Sequence, residues 1–209
     1  MLRNLSLYKG DAGTGTLGGG IEEVPEPARK QASYSDLLGL PENMIGEIID
    51  GELSVTPRPS FDHAHAGSIL GGELVPAYRL GRGGPGGWII LYEPEIWLSE
   101  HILVPDLVGW RKERLLGLPK TEWRSVSPDW VCEIVSPGTA RIDKVRKMPI
   151  YAQFGVQHLW VVDPATRTLD VFKLDSGRWS LLVSFAEDDR VRAEPFQDLE
   201  IELGNFWMD

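Results

Sequence analysis

The chain has 209 residues, 42% hydrophobic and 25% charged, a size that suits one domain with a sizeable core rather than two. No apolar run approaches the roughly 20 residues of a membrane span, and the start lacks the basic-then-apolar layout of a signal peptide, so neither membrane insertion nor secretion is expected. A net charge of −10 argues against coating nucleic acid by bulk electrostatics, and the single cysteine, Cys132, excludes an intramolecular disulfide and fits a reducing cytoplasm.

Residues 1–32 read as a flexible segment rich in Gly and Pro, with Gly-Thr-Gly-Thr-Leu-Gly-Gly-Gly from Gly13 to Gly20, then Pro25 and Pro27. Too few large apolar groups are present there to offset the entropy of ordering. One domain is expected over 33–209. Ser33-Tyr34-Ser35-Asp36 marks a helix start. Met44 to Ile49 and Glu52 to Val55 flank Asp50-Gly51, a hairpin turn signal. The spacing of Ile69, Leu70, Leu74 and Val75 predicts a helix from Asp62 to about Leu80, closed by the glycine run at 81–87.

Strands follow at Trp88 to Tyr92, Glu95 to Leu98, Val104 to Trp110 and Trp130 to Val135. The loop Ser136-Pro137-Gly138-Thr139 opens a helix that runs to about Phe154, with Pro149 expected to kink it. His158 to Val162, Thr168 to Leu174 and Trp179 to Phe185 complete the strands. The order predicts an α/β fold with a mixed central sheet flanked by helices. Trp179, Phe206 and Trp207 serve either an interface or a folded-back core. Arg141, Lys144, Arg146 and Lys147 cluster near the middle, so any nucleic-acid contact should be local.

Two carboxylates stand inside apolar strands: Asp106 in Val104-Pro105-Asp106-Leu107-Val108 and Glu133 in Trp130-Val131-Cys132-Glu133-Ile134-Val135. A buried carboxylate is costly unless paired, hydrogen-bonded or metal-bound. Strand alternation puts Val131, Glu133 and Val135 on one face, so neighbouring strands could bring Asp106 and Glu133 to one hard cation. The plainer alternative bonds each to backbone or arginine. His63 and His65 are poorly spaced for one metal on a helix; His65 reads as a structural hydrogen-bonding residue, His63 as surface, and Cys132 as a small packing group. On the later helix Ile142, Val145, Pro149 and Ala152 form one stripe, with Lys144, Lys147, Tyr151 and Phe154 opposite. Either stripe could face the sheet.

Pro105-Asp106 followed 27 positions later by Glu133 resembles the PD-(D/E)xK nuclease superfamily. A longer ordered set resembles the Uma-type restriction endonuclease family: Glu47-Ile48-Ile49-Asp50-Gly51-Glu52-Leu53, then His65, Pro105-Asp106, Glu133 to Thr139, Asp143 and Lys147. Tyr151-Ala152 to Gly155-Val156 and Trp160-Val161-Val162-Asp163-Pro164 end the set, which covers roughly 33–175. The resemblance implies a restriction-endonuclease-like core and a metal-dependent endonuclease, often homodimeric, hydrolysing DNA with metal-activated water. Asp106 and Glu133 would ligate Mg²⁺ or Mn²⁺, Glu47 would be an outer acid, and a lysine would activate water or stabilise phosphate charge. In the usual motif that lysine lies two residues after the glutamate, where this chain has Val135. The resemblance transfers its role to Lys147. Rival expectations are a degenerate nuclease fold that only binds DNA or protein, and a metal hydrolase of small molecules.

Overall fold

The computed structural model describes residues 31–119 and 121–208. All but the last two residues of the segment expected over 1–32 lie outside them. A short helix α1 (Tyr34–Leu38) starts at Ser33, whose side chain and backbone form a capping box with Asp36. Strands β1 (Met44–Ile49) and β2 (Glu52–Pro57) then pair across Asp50 and Gly51 at φ 53° and 73°, a turn that glycine and aspartate tolerate. Helix α2 (Phe61–Leu74), capped by Ser60, continues into a wide π turn over Val75–Arg79.

Next come β3 (Trp88–Tyr92), β4 (Ile96–Leu98), β5 (His101–Leu103), β6 (Leu107–Arg111) and the single turn α3 (Lys112–Leu115). Strand β7 (Trp130–Ile134) leads through a π turn, Ile142–Lys147, to α4 (Met148–Gln153). Strands β8 (His158–Asp163), β9 (Thr168–Asp175), β10 (Arg178–Ala186), β11 (Arg190–Val191) and β12 (Ile201–Glu202) follow. Among the described residues no helix is long and apolar enough to cross a membrane.

The large sheet has the order β10-β9-β8-β7-β6-β3, and the small sheet β2-β1-β5-β4. Only the β7–β8 pair of the large sheet is parallel. A parallel pair needs a crossover, and the 142–153 helical segment supplies it. The large sheet buries both faces across β6, β7 and β8, while β10 at its edge is largely exposed. On one, Leu107, Trp130, Cys132, Ile134 and Trp160 pack with Ala66, Leu70 and Leu74 of α2 and with Phe196 and Phe206. On the other, Val108, Trp110, Val131, Val135 and Leu159 pack with Ile49, Ile96 and Leu103 of the small sheet and with Ile150 and Tyr151 of α4.

Two expectations change, and one of two open alternatives is selected. The strand expected over 104–110 begins only at Leu107. The chain leaves the small sheet after β5, passes through Val104-Pro105-Asp106 and enters the large sheet at β6. Pro105 has no N–H to donate to a ladder, which suits it to such a break. Pro149 falls in the first turn of α4, where its missing donor is tolerated. The widened turn before it, with Met148 N–H bonded to Asp143 O, takes the place of the expected kink. The C-terminal aromatics fold back: Phe206 is 1% exposed, and the Trp179 indole donates to Met148 O at 2.8 Å.

Candidate catalytic site

Strands β6 and β7 pair Leu107 with Cys132 and Val108 with Val131. Carried one residue further, that register sets Asp106 opposite Glu133. Cys132 and Ile134 pack towards α2 while Val131 and Val135 pack towards the small sheet, the alternation expected from the sequence. Both carboxylates line one cleft of about 390 Å³, together with Glu47, His63, Asp143 and Lys147.

The acids are held differently. Asp106 Oδ2 accepts from the backbone N–H of Ile134 at 2.6 Å, and its Oδ1 faces His63 Nε2 at 2.7 Å. Glu47, on β1, uses Oε1 to accept from Val104 N–H at 2.8 Å. Glu133 accepts a hydrogen bond from the Tyr151 hydroxyl through Oε1. The Lys147 ammonium lies 2.9 Å from Glu133 Oε1, 3.0 Å from Glu47 Oε1 and 3.3 Å from Asp143 Oδ1. Of the two candidate stripes, the one carrying Lys147 and Tyr151 therefore faces the sheet.

The widened helical turn brings Asp143 onto that inner face as well and leaves Lys144 exposed. Arg146 is drawn away from solvent too, bonding Ile49 O at 2.9 Å and pairing with Asp50 and Glu52. It ties the 142–147 turn to the β1–β2 hairpin. Of the basic cluster read from the sequence, Arg141 and Lys144 are left exposed.

Three carboxylates about one buried ammonium leave an excess of negative charge. Burial pushes both Glu133 and Asp143 above the ordinary carboxylate range, with the charge of Lys147 opposing the rise. For Lys147 burial acts downwards, but the carboxylates of Glu133 and Glu47 overcome it and hold the ammonium well above its usual value. The lysine thus stays a cation.

Among the described residues no three His, Cys, Asp or Glu side chains gather in a metal-holding geometry. Two carboxylates are nevertheless a sufficient protein contribution for Mg²⁺, which keeps several waters and takes hard oxygen donors. The described contacts of Glu133 and Glu47 all fall on Oε1. The donor chemistry of Asp106 and Glu133, facing a common cleft, fits such an ion.

His63, expected at the surface, lines the cleft with its side chain 14% exposed. His65 bonds Asn205 O at 3.1 Å, the structural hydrogen-bonding role expected of it, and does not line the cleft. His63 reaches the cleft because the break at Pro105 sets Asp106 against the first turn of α2. Cys132 packs in the core as expected, and Val135 lies among Ile150, Tyr151 and Leu159, so no lysine reaches the cleft from that position.

Burial pushes the His63 imidazole down, but its hydrogen bond to Asp106 and the charge there prevail, leaving it above the ordinary 6.5. Folding therefore favours the protonated ring. Its contribution is complete below about pH 6.5 and is lost as pH rises through the folded value. In chelator-treated protein, urea midpoints should fall more steeply between about pH 6 and 8 for the wild type than for His63→Gln. Parallel curves would show that the ring adds no proton-linked stability.

A family model named Uma2, described as "Putative restriction endonuclease", matches residues 32–204. No curated protein matches. Among solved structures, a crystal structure of "a putative nuclease belonging to DUF820" from Anabaena variabilis ATCC 29413 superposes with a TM-score of 0.66 at 21% identity. The match covers 84% of this chain and 97% of that one, and it establishes a shared fold.

Proposed function

The chain belongs to the Uma2 family, and on that premise we propose that it is a divalent-cation-dependent endonuclease that hydrolyses phosphodiester bonds in DNA. The observation that carries this reading is the convergence of Asp106, Glu133 and Lys147 on one cleft. Asp106 and Glu133 would hold Mg²⁺ or Mn²⁺, which when bound lowers the pKa of a coordinated water and neutralises phosphate charge.

The protein's own groups supply the rest. Asp106 is kept in place from two sides, by Ile134 N–H and by His63, so its carboxylate is oriented before any ligand arrives. Lys147, held by Glu47 and Asp143 as well as Glu133, presents a fixed positive charge where the phosphate gains negative charge. It takes the part that Val135 cannot. Glu47 acts through Lys147 and through the backbone of Val104, the last residue before Pro105-Asp106.

Offered as single-stranded circles and as supercoiled plasmid, DNA in at least one form should be cut by the full chain in Mg²⁺ or Mn²⁺, and both forms should stay intact in chelator. Cutting that persists in chelator would remove the cation from the reading. A second reading, a fold that binds DNA or protein without cutting, draws support from Val135 and from the ion pairs that engage Lys147. It predicts no cation-dependent cutting, and equal thermal stabilisation of wild type and Asp106→Ala by Mn²⁺.

A further inference from the structure

The cleft has more room than a phosphate and a hydrated cation need. Its volume of about 390 Å³ falls within the roughly 300–1,000 Å³ of sites that enclose a small organic ligand. Its charged floor is one linked cluster, yet Ile45, Pro57, Pro59 and Ile142 also form its walls. Glu133 and Lys147 are 2% and 3% exposed, so a phosphodiester must descend between those walls to meet them.

Of the parts of a nucleotide, the flat face of the base is the one that gains by leaving water for apolar walls. In a duplex that face is stacked on its neighbours. A nucleotide then sets its base between the walls of such a cleft only by extrusion, or from a strand already unpaired. Charge favours the second route. A duplex brings one negative charge per roughly 1.7 Å of axis, more densely than a single strand, towards a chain of net charge −10.

We infer that the cleft takes one unpaired nucleotide, its base between apolar walls that include Ile45 and Ile142 and its phosphate at the carboxylates. The strand acted on is then single-stranded DNA, not paired duplex. This rests on the nuclease reading for its chemistry but not for its binding preference.

Fluorescence anisotropy on the full chain in Ca²⁺ tests the preference without relying on cleavage. The probes are one labelled oligonucleotide as a single strand, the same strand in a duplex, and a strand of equal length carrying abasic sites. The single strand should bind at least about tenfold more tightly than the duplex, and the abasic strand should lose that advantage. Ile45→Ala combined with Ile142→Ala should reduce it several-fold, while the abasic comparison reads the same contact in unaltered protein. Duplex binding as tight as single-strand binding, or abasic binding as tight as normal, overturns the base pocket and leaves any cation-dependent cutting standing. Cutting of neither form in Mg²⁺ or Mn²⁺ overturns the nuclease reading instead, and the anisotropy ratios still decide the pocket.

Discussion

Lys147→Met should destabilise the fold by about 3–5 kcal/mol near neutral pH, the range for stranding a buried charge. Glu133 and Glu47 are 2% and 5% exposed, and both lose their cation, as does Asp143. Methionine matches the length of the lysine stem, so packing against Tyr151 is largely kept and the effect reads electrostatics. The sign with pH is fixed. Without the ammonium the buried carboxyls of Glu133 and Asp143 take up protons more readily folded than unfolded. Groups raised in this way support the fold at low pH and weaken it as pH rises through their folded values. The deficit against wild type should therefore shrink in mildly acidic buffer and grow towards neutrality, as followed by urea denaturation at several pH values. A deficit below about 1 kcal/mol at neutral pH, or one independent of pH, would show that the cluster is not held by charge.

Asp106→Asn should abolish cation-dependent cutting while sparing the fold. The amide keeps one oxygen to accept from Ile134 N–H, and its NH₂ can donate to an unprotonated His63, so both structural contacts have a substitute. The negative charge that would hold the cation is gone. Losing an outer partner of a metal ligand costs roughly 10–100-fold, and losing the ligand itself should exceed that. Mn²⁺ titration read by thermal shift should show stabilisation of wild type and little of the variant. Equal stabilisation of the two proteins, with cutting retained, would remove Asp106 from the site.

Much of the scaffold was legible because its signals are local. Asp50-Gly51 between two apolar runs named the β1–β2 hairpin, and alternation in Trp130-Val131-Cys132-Glu133-Ile134-Val135 assigned each side chain to its face. Asp106, Glu133, Glu47 and Lys147 were legible as a set through the ordered resemblance, and the fold brings them to one cleft. His63 was not. Its partner is 43 positions away, and their meeting depends on a strand break that Val104-Pro105-Asp106, read as one apolar run, conceals. Lys144 and Asp143 were misplaced or passed over for a related reason. Regular spacing of 100° per residue was applied to a turn that is wider than an α-helix. Strand β5 is three residues long, too brief for periodicity to register.

The passage from β5 through Pro105 to β6 has a mechanical consequence. Glu47 belongs to the small sheet, Glu133 to the large one, and Asp106 to the three-residue bridge between them. The pocket is therefore a seam, and Lys147, paired to both sheets at once, is its stitch. Parting the sheets by about an ångström would draw Lys147 away from Glu47 or from Glu133 while every ladder stays zipped. Amide hydrogen exchange at Val104 and Ile134 would register that parting ahead of any global melting.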